Sequence, residues 1–191
     1  MSSDVMEHEL VERARETQAL SKADITKAWL IYWLGAEVSS SYERLQSLIF
    51  CASMTPIIKK LYPEKEEQTE ALKRHLNFFN SEQTFGSVIQ GISIAMEEQK
   101  TRGEPISDAS ITGIKTGLMG PLAGIGDSFF WGTFRVIACG IGAPLAAAGN
   151  LLGVVLYLLL NLLPSTLTRV YGFKLGYQGG REFLAKIQAD G

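Results

Sequence analysis

From Val136 to Thr168 the chain carries no charged side chain, and a run of that length restricts what the rest of the molecule can be. A helix needs about 20 apolar residues to cross the hydrocarbon core of a bilayer. A spanning helix is therefore expected over about Leu145–Leu163, after a shorter apolar piece ending near Pro144, with Pro164 as its stop. Averages conceal this: 46% hydrophobic residues, 20% charged residues and a mean hydropathy of +0.09 are values typical of a soluble protein. The charges are instead segregated, with five acids and two arginines in residues 1–20 alone. Polar ends and connectors around apolar segments describe this chain better than a uniform globule. A net charge of −2 and the absence of basic clusters with interleaved aromatics argue against a nucleic-acid partner.

Just before the uncharged run lies Gly113–Arg135, GIKTGLMGPLAGIGDSFFWGTFR, where Asp127 is the only charge between Lys115 and Arg135. Gly120, Pro121, Gly124 and Gly126 make a continuous helix unfavourable. Two helical halves meeting at a turn are expected, with Asp127 or Ser128 capping the second. Irregular backbone at membrane depth is tolerated where protein or a polar cavity covers it, and transporters place their cargo at such breaks.

The polar residues 1–20 read as a tail, and nothing in them resembles a cleavable secretion signal, which leaves the N-terminus on the cytoplasmic side. Ser21 and Asp24 signal the start of a helix over Lys22–Leu34, with Gly35 as its stop. Trp29, Tyr32 and Trp33 on that helix suit a membrane–water boundary. Two short uncharged runs, Leu45–Ile58 and Gln83–Met96, fall below spanning length and fit re-entrant hairpins; periodicity alone also allows core helices. Between them the mixed charges of Tyr62–Arg74 suggest a solvated helix or loop, cytoplasmic by its lysines and arginine. Glycines recur every fourth residue, most persuasively at Gly172, Gly176 and Gly180, a spacing that lets helices approach closely.

Nucleotide-loop, zinc-protease, paired-cysteine and serine-hydrolase motifs are all missing from the sequence. No catalytic residue, metal site or cofactor is expected. His75 reads as a connector residue, and Cys51 and Cys139 as small buried hydrophobes. Asp127 reads as a helix cap and, compatibly with that, as a ligand for sugar hydroxyls at membrane depth, while Trp131 and Phe130 either pack or offer a ring face to a pyranose.

These residues resemble a known family. GIKTGLMGPLAGIGD-x3-WGT-x-R (Gly113–Arg135) is similar to the signature of the IID component of mannose-family sugar phosphotransferase systems. Tyr42-Glu43-Arg44-Leu45-Gln46 resembles the family's FERMQ-type element and Ile58-Lys59-Lys60-Leu61-Tyr62 its I-x-x-L-Y. Arg74–Asn80 resembles the H-L-x-F-F-N element, Met96-Glu97-Glu98-Gln99 the L-E-E-Q one, and Tyr171-Gly172-x3-Gly176-Tyr177-x2-Gly180 its tail. The likeness extends over roughly residues 20–182.

The resemblance implies an all-α integral membrane protein with an amphipathic N-terminal helix, re-entrant helical hairpins, broken helices and at least one transmembrane helix. It divides the chain into a tail, 1–20, and an IID-type membrane domain, 21–191, in which the C-terminal part of the usual family domain is missing. It also implies a multi-pass subunit of the bacterial cell membrane that pairs with an EIIC subunit, forming a multimer of EIIC–EIID pairs in the lipid bilayer. Phosphate would be carried by EIIA and EIIB, and a hexose or amino sugar would be the substrate. Asn80, Glu97, Asp127 and Trp131 are the expected substrate-binding residues. A non-transporting partner of EIIC is the alternative. One departure is local: Asn80-Ser81-Glu82-Gln83 stands where the family has N-T-x-P, so a fixed turn is lost.

Overall fold

A computed structural model of the chain describes residues 19–189, with side chains as far as residue 182. The polar tail, and His8 with it, lies almost wholly outside the described residues. The elements are α1 (Lys22–Gly35), α2 (Ser47–Leu61), α3 (Lys65–His75), α4 (Gly86–Thr101), α5 (Asp108–Gly126), a π-helical segment (Asp127–Phe134), α6 (Arg135–Ala147) and α7 (Leu152–Ala189). The only extended pairings among the described residues are isolated bridges, Ser41 with Leu45 and Leu45 with Phe79.

Helix α1 begins as its sequence demands. The Ser21 hydroxyl accepts from the Asp24 amide at 3.2 Å while the Asp24 carboxylate accepts from the Ser21 amide at 3.0 Å, so two orphan donors are satisfied reciprocally. Its inner face places Ala28 and Tyr32 against α2 and α4. Phe50, Met54, Ile57 and Ile58 of α2, Ala71 of α3, Phe79, and Ile89 and Ile94 of α4 complete one buried core. The two short apolar runs are thus helices whose apolar side chains pack against other helices of the same chain.

Corrections concern the long apolar part. Gly113–Arg135 contains no turn: α5, the π segment and α6 form one continuous helical rod, with Gly126 at φ −65°, ψ −45° and Asp127 at φ −62°, ψ −45°. Asp127 caps nothing. The irregularity is a widened turn instead, in which the Thr133 hydroxyl reaches back five residues to the Ser128 carbonyl at 3.0 Å. Within an apolar segment an opened backbone would leave N–H and C=O groups unpaired, each at a cost of several kcal/mol, so widening the helix is cheaper than breaking it. Pro164 likewise does not end a helix, for α7 runs through it. The Val136–Thr168 run is divided earlier, where Gly149 takes φ +78° and the Asn150 side chain accepts from the Leu152 amide at 2.9 Å.

Two rods, 108–147 and 152–182, are long and apolar enough to cross a membrane, and only 17% and 11% of their most apolar windows are buried within the chain. A core helix of a soluble protein would be mostly covered. Here Val136, Ile137, Ile141, Leu158, Leu159, Leu162 and Leu163 all face outward, a surface that lipid or a partner must cover. Cys139 shares that outward face, contrary to the expectation of burial. The chain therefore consists of a packed helical head, α1–α4 with the ends of α5 and α7, and an apolar hairpin arm made by α6 and the first half of α7.

Glycine builds both joints. A methyl group at Gly176 would overlap the Val88 carbonyl oxygen, one at Gly91 would overlap the Phe173 carbonyl oxygen, and one at Gly180 would sit 2.9 Å from Ala95 Cβ. The Gly172/Gly176/Gly180 triplet is therefore the surface by which α7 meets α4, backbone against backbone at Gly176. At the arm's tip Gly142 and Gly153 do the same between α6 and α7. By contrast Gly113, Gly117, Gly120 and Gly124 of α5 face no atom of this chain within 4 Å.

Substituting Gly176→Ala or Gly91→Ala is expected to destabilise the fold by about 1–3 kcal/mol, because backbone sits where the methyl must go. Gly117→Ala has open space and better helix propensity, so thermal unfolding in detergent should place it at or up to about 1 kcal/mol above the parent chain.

Candidate functional site

Two polar assemblies interrupt this apolar architecture. The first lies inside the head, where Glu97 near the end of α4 is 0% exposed. Its Oε1 accepts from Arg74 Nε at 2.7 Å and His75 Nε2 at 2.8 Å; its Oε2 accepts from Arg74 Nη2 at 2.8 Å and the Tyr62 hydroxyl at 2.7 Å. Arg74 also pairs with Asp108 at 3.0 Å, at the start of α5. From α5, Lys115 donates to the backbone carbonyls of Arg74 and His75, both at 3.3 Å, and lies over the rings of Phe50 and Phe79. Four elements are thus tied at one point.

Burial by itself would push the Glu97 carboxyl up, but the hydrogen bonds from Arg74 and His75 and their charges outweigh it and bring the pKa down to about 2. An ionised carboxylate offers only lone pairs, so His75 Nε2 carries the hydrogen. Burial holds the His75 ring neutral, its pKa below the usual 6.5, and leaves Nδ1 without a partner. This corrects the reading of His75 as a connector residue and of Arg74 as part of a solvated segment: both are buried. The reason is the register of α3, whose Ala71, Arg74 and His75 share the face turned to the core.

The second assembly is a cleft of about 40 Å³ where the arm joins the head. Glu82 and Gln83 enter from the α3–α4 loop, Trp131 from the π-helical segment and Arg135 from the start of α6, and Asn161 and Ser165 from consecutive turns of α7. Glu82 is held firmly: one carboxylate oxygen accepts from the amides of Thr84 at 2.8 Å and Phe85 at 3.0 Å, and its stem lies where any side chain at Gly126 would stand. This carboxylate gives the loop a fixed shape despite the missing proline. Burial raises the Glu82 pKa, against the pull of those amides and of the Arg169 charge. The Arg135 guanidinium stacks on the Trp131 ring 3.6 Å from its centroid.

The four residues expected from sequence do not converge. Trp131, 43% exposed, borders the cleft with one ring face covered by Arg135. Asp127, one turn before it, is exposed, and its carboxylate makes no hydrogen bond or ion pair among the described residues. Asn80 is exposed in the loop beside Ser81, whose hydroxyl donates to the Met119 carbonyl at 3.2 Å. Glu97 lies some 16 Å up α4 from the cleft, estimated from the helical rise. The sequence reading passed over Glu82, Arg135, Asn161 and Ser165. Asn161 had a legible signal, an amide alone among the leucines of Leu151–Leu163.

The chain is similar to known proteins along most of its length. A family model described as the PTS system mannose/fructose/sorbose family IID component matches residues 19–191. The mannose-specific EIID component of Escherichia coli O6:H1 (strain CFT073) is 43% identical over 175 residues, covering 90% of this chain and 61% of that protein. The sorbose-specific EIID component of Lacticaseibacillus casei is 41% identical over 161 residues, 84% of this chain and 57% of that one. A chain in the cryo-EM structure of the mannose transporter ManYZ with microcin E492 superposes with a TM-score of 0.82 at 44% identity, covering 86% of this chain and 60% of its own. The chain thus spans about three-fifths of the length of these relatives.

Stability should fall on acidification in two stages with the same sign. The folded His75 resists a proton that the unfolded chain accepts below pH 6.5, and the folded Glu97 resists one accepted below 4.5. The Glu97 contribution, about 3 kcal/mol, is full above pH 4.5 and lost as pH falls toward 2. Unfolding followed by circular dichroism from pH 8 to 2 checks this. Glu97→Gln should cost about 3–5 kcal/mol, because Arg74 is left buried and under-paired, and should flatten the lower stage.

Proposed function

The chain belongs to the mannose/fructose/sorbose family of PTS IID components, and on that premise we propose that it acts as the EIID membrane subunit of a phosphoenolpyruvate-dependent sugar phosphotransferase system. The single observation that carries this reading is the family match along residues 19–191, which takes in every described residue, on a fold whose apolar arm is left uncovered by its own head.

On this reading the arm lies in the bacterial cell membrane beside an EIIC subunit, and EIIC–EIID pairs assemble further. The head and its connectors, with Lys59, Lys60 and Lys65, stay on the cytoplasmic side, as does the N-terminus. EIIA and EIIB hold and transfer the phosphoryl group, so this chain does no covalent chemistry. Its work is physical. A hexose or amino sugar leaving water must exchange its hydration for protein hydrogen bonds, and polar side chains on an apolar arm supply them.

Asp127 and Asn80 are proposed to meet the sugar or the EIIC groups that hold it. The exposed, unpaired Asp127 carboxylate on a membrane rod supports this, since such a group is costly without a polar partner. Trp131 is proposed to border the path. Glu97 remains a proposed sugar contact only through a rearrangement that frees one of its oxygens, because every hydrogen bond it makes in this state is internal.

The test is uptake of labelled hexoses in vesicles containing this chain, its EIIC partner and the phosphoryl-donor proteins. Uptake that requires the chain, and falls at least tenfold with Asp127→Asn or Asn80→Ala, is the expected outcome. Uptake unchanged by both removes these residues from the path. Co-purification with EIIC but no uptake means a non-transporting partner.

A further inference from the structure

The head has an uncovered apolar face of its own, separate from the arm. The outer side of α1 is a groove of about 510 Å³; Leu30, Ile31 and Leu34 line its C-terminal end, and Lys22 and Lys27 its N-terminal end. By the helical repeat these positions lie on the side away from Ala28 and Tyr32, which face the core. Apolar exposure continues past the helix, where Leu34 is 73% and Val38 83% exposed and Tyr42 is wholly bare. A patch of this kind calls for a cover. The aromatic residues of α1 do not form it: Tyr32 is buried, and Trp29 and Trp33 are half-buried against each other with ring centroids 4.9 Å apart.

Position and charge identify the cover. Arg169 is the first charge after the uncharged Val136–Thr168 run, and its Nη1 donates to the Trp33 carbonyl at 3.4 Å. The C-terminal end of α1 is therefore held level with the root of the apolar arm, where hydrocarbon gives way to headgroups. No acid among the described residues lines the groove. Asp24, on the adjoining side of the helix, is engaged by the Ser21 amide and hydroxyl, and it feels the charges of Lys60 and Lys27. Lys60, exposed at the end of α2, thus adds a third cation beside the lysine end of the groove.

We infer that the outer face of α1 is a contact surface for an anionic phospholipid leaflet, with Leu30, Ile31 and Leu34 at the acyl boundary and Lys22, Lys27 and Lys60 on lipid phosphates. The inference rests on the membrane-subunit reading above and extends it from the arm to the head. The dimensions agree: Lys27 stands about 10 Å along the helix from Leu34, close to the depth at which an interfacial helix seats its apolar side. Lysine stems lie along apolar surface and carry their ammonium groups to phosphate level. Headgroups that diffuse can follow such flexible point charges without a fixed geometry. Each lysine near an anionic surface favours it by about fivefold, and that preference is screened by salt.

The experiment places a fluorophore at Leu34→Cys, in a Cys139→Ser background, in vesicles that hold this chain, its EIIC partner and the phosphoryl-donor proteins. Acyl-chain spin-labelled phosphatidylglycerol or phosphatidylcholine is the quencher, and aqueous iodide the control. Quenching by lipid and not by iodide is expected, with phosphatidylglycerol preferred at least fivefold. Lys22→Gln, Lys27→Gln and Lys60→Gln together should bring that preference close to one while co-purification with EIIC is unchanged. Should the triple variant fail to assemble, raising salt from 0.1 to 1 M on the parental lysines is expected to do the same. Quenching by iodide, quenching by neither agent as under a protein cover, or equal quenching by both lipids overturns the surface. So does a preference that survives both the triple variant and high salt. Hexose uptake in the same vesicles separates the two readings: uptake that persists with the surface overturned leaves the transport reading standing, and its absence from the parental vesicles overturns that reading whatever position 34 reports.

Discussion

Everything in this chain hangs on the close crossing of α4 and α7. Two helices that touch through glycine come near enough for backbone to meet backbone, and here Gly91 on one and Gly176 on the other leave no room for a methyl group, with Gly172 and Gly180 close against α4 on either side. That crossing fixes α7 to the head at one end and lets its other end run out as half of the arm. It sets where Asn161 and Ser165 stand relative to the loop that carries Glu82, and so it creates the cleft. A looser crossing would separate the two walls.

The buried assembly around Glu97 has a different purpose. Its charges gain little net energy from being inside, since desolvation offsets much of their attraction. They do restrict the arrangements the head can adopt, because Glu97 is satisfied only when α3 presents Arg74 and His75 together and Tyr62 closes the remaining side. Lys115 and Asp108 carry the same constraint into α5. The rod that enters the apolar arm is thereby aimed by an ionic joint as well as by packing.

Much of the fold was legible in local pattern. The Ser21–Asp24 reciprocal cap, the short helices at the uncharged runs and the glycine triplet all rest on groups a few residues apart, where chain geometry leaves few choices. The site was less legible. Arg74 and Glu97 are 23 positions apart and Glu82 and Asn161 farther still, with no spacing rule to connect them. Glycine and proline also misled at Gly113–Arg135, because their reputation as helix breakers belongs to water, where a freed backbone group finds a new partner. In an apolar segment it finds none, and the chain widened its helix instead.

Sequence alone determined that this is a helical, segregated chain with one uncharged run of spanning length and a family-wide signature, because hydrophobic run length, caps and motifs are properties of neighbouring residues. Tertiary structure decided which polar residues are buried and which are free. Glu97, which reads as the end of an apolar run, is enclosed by its own chain, while Glu82, Asn161 and Ser165, which read as unremarkable, share one cleft. The physical reason is that hydrogen bonding is settled by what lies within about 3 Å in space, and only the crossing of α4 and α7 brings those residues there.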